Sequence, residues 1–288
     1  MNYSALIQNR KTFREFSDKK VSLSSLKELR KYYRHSVRRL IPEIKTQFYT
    51  FGSDAQTALE GAAGYHQFLI GAPQYMVLLS EKHPLAYLNA GYMMEDLILK
   101  LTDMGMDSAY LTFTDSSQIK SALNINSELE VAAIAAFGYG KKSARRMQIN
   151  VRSMSDIDIS AKRHYMEPKN SIYDLAFLGT WGNTHRLDEY IGFYDDMLWE
   201  SLYAVTLAPS YLNRQAYGML LRDGSISLIS KPDEFNTPID GALSLGIALL
   251  HFTAVAENKG ATLHWRFDDD SATLNLPAGH RVIASSLL

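Results

Sequence analysis

Two stretches of this 288-residue chain present the same features in the same order and at the same spacing. An apolar helical pattern runs from Gly91 to Gly105, and another runs from Gly246 to Gly260, so the glycines are 14 positions apart in both (105 − 91; 260 − 246). In each stretch an aromatic residue follows 19 positions after the first glycine: Tyr110 and Trp265. This shared order indicates an internal repeat and predicts two related halves. Coincidence is the alternative, because other identities between the stretches are few.

The composition limits the possible partners. The 30 Lys and Arg balance 31 Asp and Glu, which gives no electrostatic reason to expect a nucleic acid or an anionic membrane as partner. The longest apolar run, 242–256, is shorter than the roughly 20 residues of a membrane span, so we read it as a buried helix. No cysteine is present, and the first 16 residues do not resemble a secretory signal. We therefore expect a cytoplasmic protein.

Periodicity predicts alternating helices and strands. Ser25 and Glu28 form a capping-box pattern for a helix ending near Tyr33, whereas residues 35–64 have no clear assignment. Residues 262–267 and 272–276 are expected to pair as a hairpin around the turn at 268–270. The other predicted helices are 3–9, 91–104, 116–123, 195–207 and 243–258, and the other predicted strands are 74–79, 108–113, 131–137, 217–221 and 225–230.

A polar stretch from 141 to about 170 shows neither period and is the best linker candidate. We therefore expect a first half at 1–145, a linker or crossover at 146–170 and a second half at 171–288.

Several motifs resemble the nitroreductase-like family of FMN enzymes. The segment NRKTFREF, the stretch GAPQYMVLL, the pattern AGYMMEDLILKLTDMGMDSAYL and the strand VAAIAAFGYGKK follow the family's order in the first half. In the second half, LAPSYLNRQAY resembles the family's A-P-S-x-x-N-x-Q-P-W motif, with Ala216 and Tyr217 in place of Pro and Trp. The basic motif occurs only in the first half and the PS-N-Q motif only in the second. The resemblance therefore implies an α+β nitroreductase-like fold, internally duplicated as a monomeric pseudo-dimer with one flavin site per chain at the junction of the halves.

The resemblance also implies the cofactor contacts. Arg10, Lys11 and Arg14 would meet the FMN phosphate, because guanidinium groups bind phosphate bidentately, and Thr12 stands where the family often has Ser. After GYG, Lys141 and Arg145 would supply further cations, for which a solvated charge run is an equal alternative.

The polar residues of PSYLNRQ have two readings. Ser210, Asn213 and Gln215 would contact the ribityl chain and ring, whereas ordinary turn and cap chemistry is the reading without the resemblance. The backbone N–H near flavin N5 would come from 111–113, with Thr112 as its centre. We nominate no catalytic side chain and no metal ligand, and we interpret His251 as a core histidine.

The function implied is an FMN-dependent oxidoreductase that passes hydride from NAD(P)H to the flavin and then to a nitroaromatic, quinone or similar small conjugated acceptor. The alternatives are a flavin-binding protein without turnover (storage, sensing or a degenerate pseudo-enzyme) and an intact fold that binds no flavin.

Overall fold

The structure is a computed structural model, and it describes residues 1–64, 68–141, 145–153, 156–163, 168–268 and 274–288, with the backbone alone described for 145–153 and 156–163. The helices are α1 Tyr3–Asn9, α2 Leu23–His35, α3 Ala55–Leu59, α4 Ala86–Asp103, α5 Ser116–Ala122, α6 Ile172–Leu175, α7 Leu187–Gly192, α8 Asp195–Thr206 and α9 Pro238–Asn258. The strands are β1 Thr46–Gly52, β2 Gln74–Ser80, β3 Asp107–Leu111, β4 Glu130–Gly138, β5 Arg145–Ser153, β6 Asp156–Arg163, β7 Ala176–Leu178, β8 Tyr217–Arg222, β9 Ser225–Ser230 and β10 Arg281–Leu287.

The chain divides into two compact units. The first unit is Asn9–Met166, and the second unit joins Met1–Gln8 to Glu167–Leu288. The domain boundaries expected from the sequence stay a prediction.

The first unit is built on a four-stranded sheet in the order β1-β2-β4-β3, in which every pairing is antiparallel. The central strands are buried almost throughout because they carry consecutive apolar residues, as strands covered on both faces do. Helix α4 is equally buried, although its buried residues include the polar side chains of Asn89, Glu95 and Asp96. Of these three side chains, Glu95 contacts Tyr110 of β3, whereas Asn89 and Asp96 accept from the backbone of residues 38–41.

The second unit has a four-stranded sheet in the order β10-β9-β8-β7, with β7 parallel to β8 and the other pairings antiparallel. Helix α9 follows β9, with Thr237 as its N-cap and Pro238 in its first turn, the position where proline suits a helix. It is long and apolar enough to span a membrane, but 78% of its most apolar window is buried inside the protein. Within the described residues it has the character of a core helix, as the sequence predicted.

Three local expectations were wrong. The N-cap of α2 is Ser22, whose hydroxyl accepts from the Ser25 N–H, so the helix begins three residues before the predicted capping box. Helix α4 begins at Ala86 instead of 91. The turn at Pro84 is what ends the preceding segment, so residues 86–90 can continue the helix toward its N-terminus. The stretch expected to lack regular structure contains β5 and β6, which pair with Ile149 opposite Ile159.

The hairpin expected at 262–276 is also replaced by a different pairing. Arg266 bridges Ser285 of β10, with backbone N–O distances of 2.8 and 2.9 Å. The expected second strand falls partly on residues 272–273, which lie outside the described residues. The partner of Arg266 is therefore a distant strand, which local turn residues could not indicate.

Candidate functional site

The predicted phosphate-binding segment lies along the ends of β3 and β4 in the first unit. The Phe13 N–H donates to the Ser108 carbonyl at 3.0 Å, and the Ser17 N–H donates to the Tyr139 carbonyl at 2.8 Å. The Lys141 N–H donates to the Glu15 carbonyl at 3.0 Å. The two predicted sets of cations are therefore on adjacent backbone segments, which the sequence could only suggest.

Glycines in GYG let this segment lie flat against the sheet. A Cβ on Gly140 would meet the Phe13 ring at 2.1 Å, and one on Gly138 would meet Pro73 at 2.4 Å and the Phe16 ring at 3.3 Å. Anchored by its two aromatic side chains, the segment leaves Lys11 and Thr12 exposed and Arg14 half-buried, and Lys141 is exposed as well. The side chain of Arg145, at the start of β5, lies outside the described residues.

Arg10 differs from its neighbours because its side chain is only 6% exposed. Its Nε lies 3.3 Å from Oε1 of Glu95, which is fully buried on α4, and its Nη1 donates to the Thr12 hydroxyl at 3.3 Å. The approach to Glu95 is within ion-pair distance but not aligned as a hydrogen bond. Within the described residues, the buried Nε and Nη2 have no hydrogen-bond partner. Buried donors in this state are suited to an acceptor such as a phosphate or carbonyl oxygen.

Tyr110 meets the same carboxylate from β3. Its hydroxyl donates to Oε2 of Glu95 at 3.0 Å. Burial of the hydroxyl, together with the nearby charge of Glu95, raises the pKa of Tyr110 well above its ordinary value. The phenol therefore stays a neutral donor across the working pH range.

Thr112, the predicted centre of the ring contact, lies just beyond β3. Its hydroxyl donates to the Gly64 carbonyl at 3.0 Å, and its own carbonyl accepts from the Gly64 N–H at 2.7 Å. Residues 55–64, which had no sequence assignment, therefore form α3 and a turn against the end of β3. The residues that follow, 65–67, lie outside the described part.

The polar residues of PSYLNRQ, in the second unit, contact backbone groups. The Gln215 side chain, 2% exposed, donates to the Thr206 carbonyl at 2.8 Å and accepts from the Asn170 N–H at 2.9 Å. The Ser210 hydroxyl accepts from the Gln215 N–H at 2.9 Å, and the Asn213 amide donates to the Pro168 carbonyl at 2.7 Å. These contacts match the turn chemistry that the sequence left as an alternative.

The turn also requires unusual backbone angles. Leu212, Asn213 and Gln215 have φ values of 49°, 58° and 45°, in the left-handed region that disfavours most side chains. The Tyr211 N–H donates to the Ser244 hydroxyl of α9 at 3.1 Å, which ties the turn to the core helix. The polar side chains offset the strain by satisfying the backbone around them.

Sequence reasoning missed Glu95, and a signal for it existed. Glu95 and Asp96 are adjacent acidic residues in the middle of an otherwise apolar, buried helix. Carboxylates are almost never fully buried unless paired, so these two acidic residues could have indicated buried partners for their side chains.

A family model described as "Putative TM nitroreductase" matches residues 2–177, more than half of the chain. The chain belongs to this nitroreductase family. It is therefore a member of an oxidoreductase family with an α+β fold. A crystal structure from Thermotoga maritima, described as a "putative nitroreductase", is 18% identical with a TM-score of 0.58, over 100% of this chain and 94% of that one.

Two other solved structures each cover 48% of this chain. An FMN-dependent nitroreductase of Clostridium difficile is 17% identical over 48% of this chain and 87% of its own, with a TM-score of 0.42. A "putative NADH oxidase" of Clostridium acetobutylicum is 18% identical over 48% of this chain and 89% of its own, with a TM-score of 0.41. The comparison with curated proteins found no match.

Proposed function

We propose that the chain is a cytoplasmic, FMN-dependent oxidoreductase that uses NAD(P)H and a small conjugated acceptor. When bound, FMN supplies the hydride chemistry, in which the nicotinamide is oxidised and a nitroaromatic, quinone or similar acceptor is reduced. The protein's contribution is binding, orientation and electrostatics. The observation that carries the proposal is the buried guanidinium of Arg10, two of whose donors have no hydrogen-bond partner in the described part of a chain that belongs to this family.

The residues around Arg10 fit a phosphate. Lys11 and Lys141 are exposed cations on segments joined through the 3.0 Å hydrogen bond from the Lys141 N–H to the Glu15 carbonyl. Arg14 and Thr12 lie on the same anchored segment, and charge-assisted hydrogen bonds from such groups are the strong ones. We assign the phosphate to this cluster and the ring to the end of β3 around Thr112.

Ser210, Asn213 and Gln215 stay proposed flavin contacts. Gln215 already uses both ends of its amide on backbone groups, so its side chain would act by fixing the turn. Ser210 and Asn213 keep further hydrogen-bonding capacity, because a hydroxyl can still donate and an amide carries two donors and an acceptor.

We also propose that the chain is an internally duplicated, monomeric pseudo-dimer with one flavin per chain. The supporting observation is a matched strand order. In the first unit β3, directly after α4, pairs with the outer side of β4; in the second unit Arg266, shortly after α9, bridges β10 on the side away from β9.

Matched polar contacts on the two long helices support the same idea. Asn89 and Ser244 each lie two positions before the helix glycine. Asn89 accepts from the backbone of the loop before β1, and Ser244 accepts from the backbone of the turn before β8. Asp96 and His251 each lie five positions after it. Asp96 accepts from the Tyr32 hydroxyl of α2 at 2.9 Å, and His251 Nδ1 lies 2.8 Å from the Ala204 carbonyl of α8.

The test is visible absorption of the purified protein before and after FMN is added, followed by anaerobic NADH or NADPH. We expect a bound-flavin spectrum that bleaches with one nicotinamide and recovers with a nitroaromatic or quinone. Bleaching that only oxygen reverses would favour flavin binding without turnover. A colourless protein that ignores added FMN would leave the fold and overturn the function.

A double variant tests the phosphate cluster. Replacing both Lys11 and Lys141 by alanine should weaken the binding of FMN about tenfold. The affinity for riboflavin, which lacks the phosphate, should not change. The matched control removes Lys27 and Lys31, two equally exposed lysines on α2. Equal losses in both double variants would assign the effect to net charge alone.

A further inference from the structure

One carboxylate in the first unit connects two segments that the proposed site needs. Glu95 is fully buried in the middle of α4, with Arg10 Nε at 3.3 Å on one oxygen and the Tyr110 hydroxyl at 3.0 Å on the other. Arg10 opens the phosphate segment, and Tyr110 lies in β3 two residues before Thr112. The same side chain therefore holds the start of one segment and the end of the other.

The contact between Arg10 and Glu95 is costly to break because it is buried. Arg10 is 6% exposed and Glu95 0%, and removal of one partner from a buried ion pair leaves the other charge uncompensated. Tyr110 adds a neutral donor that remains protonated, since burial raises its pKa. Neither segment can shift without giving up an interaction with Glu95.

The backbone carries this restraint to the candidate contacts. From Arg10 the chain continues to Phe13, whose N–H is bound to the carbonyl of Ser108 at 3.0 Å, so the phosphate segment is also tied to the beginning of β3. From Tyr110 the strand continues to Thr112, which is held by Gly64. A rigid support behind contacting groups is what a binding site requires for orientation.

We infer that Glu95 is a positioning residue of the flavin site, holding the phosphate segment through Arg10 and the ring segment through Tyr110. The inference rests on the proposed function. Because Glu95 balances the charge of Arg10, the net positive charge offered to the phosphate comes from the exposed cations, Lys11 and Lys141 among them.

Affinities for FMN and riboflavin distinguish the effect on the phosphate segment from the effect on the ring segment. E95Q should weaken riboflavin about tenfold, because the ring segment loses its support, and FMN by a larger factor, because the phosphate segment loses its support as well. Y110F should weaken both by a smaller factor, whereas R10M should weaken FMN more than riboflavin. The visible band of bound flavin should shift in E95Q and Y110F, since the band responds to hydrogen bonds at the ring.

The matched control is D96N. Asp96 is the adjacent, equally buried carboxylate, but it accepts from the Tyr32 hydroxyl and the Arg38 N–H, both at 2.9 Å. Its substitution should cost comparable stability and leave both flavin affinities within twofold of the wild type. Equal flavin losses in E95Q and D96N would reduce Glu95 to a general stabiliser of the fold and overturn the inference.

Hydrogen exchange of the flavin-free protein provides a readout that needs no cofactor. E95Q should speed exchange in the peptides covering 10–17 and 108–114, and D96N should not. A wild-type protein that binds neither flavin would overturn the proposed function. Unchanged exchange of both peptides in E95Q would overturn the role of Glu95, whether or not flavin binds.

Discussion

Phe13 lies so close to Gly140 that a Cβ atom on residue 140 would stand 2.1 Å from its ring. This packing of the Phe13 ring holds the basic segment in place, in addition to its backbone hydrogen bonds with Ser108 and Tyr139. Glycine is needed here for close approach, since no φ in the left-handed region is involved.

G140A should therefore destabilise the protein by about 1–3 kcal/mol, because the Phe13 ring must leave its position to admit a methyl group. Denaturant unfolding measures the change. The control is G192A, where an added Cβ would have nothing within 4 Å and alanine favours the end of α7. A G140A protein as stable as G192A would mean that the ring moves without cost.

Q215L should cost about 2–4 kcal/mol in flavin-free protein, because it leaves the Asn170 N–H and the Thr206 carbonyl without their partner in the interior. N213A removes one partly exposed contact to the Pro168 carbonyl and should cost less. Thermal and denaturant unfolding without flavin give both values. If Q215L lost flavin while keeping its full stability, Gln215 would be a direct ligand.

N89A should destabilise the first unit more than S244A destabilises the second. Asn89 accepts from two backbone donors, Leu40 at 3.1 Å and Ile41 at 3.0 Å, whereas Ser244 accepts from the Tyr211 N–H at 3.1 Å. We expect about 2–4 kcal/mol for N89A and about 1–2 kcal/mol for S244A. Exchange-resolved unfolding, which follows each unit separately, tests the order; the reverse order would contradict it.

Asp240 should make stability depend on pH in an unusual direction. Burial raises its pKa, and the hydrogen bond from the Thr237 hydroxyl opposes the rise. Its stabilising contribution is therefore present below the unfolded pKa of about 3.9 and is lost as pH rises through the folded pKa. The D240N side chain cannot ionise. The free energy of unfolding of D240N, measured in urea, should therefore rise relative to that of the wild type as pH increases from 4 to neutrality. A constant difference across that range would show that Asp240 titrates normally.

The long elements were predictable because their own residues specify them. Helix α9 and the strand pair β8 and β9 have clear periods with turn or cap residues at their ends, and the structure confirms all three. The family fold was predictable too, since its motifs follow each other along the chain.

Elements that depend on distant partners were not predictable. Arg266 pairs with Ser285, across residues that read locally as a hairpin. The β5–β6 pair is formed by neighbouring strands and was missed for a local reason: apolar residues such as Ile157 and Ile159 alternate, but the charges between them concealed the strand period.

The cations of the candidate site were nominated from residue type, and their role stays a prediction. The contact of Arg10 with Glu95 was not foreseeable, because it joins residues 85 positions apart along the chain (95 − 10). No local pattern reports a contact at that separation.

The path of the chain has a consequence for biosynthesis. The first unit is continuous, so it can fold as soon as its residues leave the ribosome. Helix α1 is translated before the first unit, yet Tyr3 and Ile7 are buried in the second unit, where the Asn258 amide donates to the Met1 carbonyl and Ser4 donates to Glu200. Helix α1 must therefore wait until α8 and α9 have been translated before it can reach its packing partners.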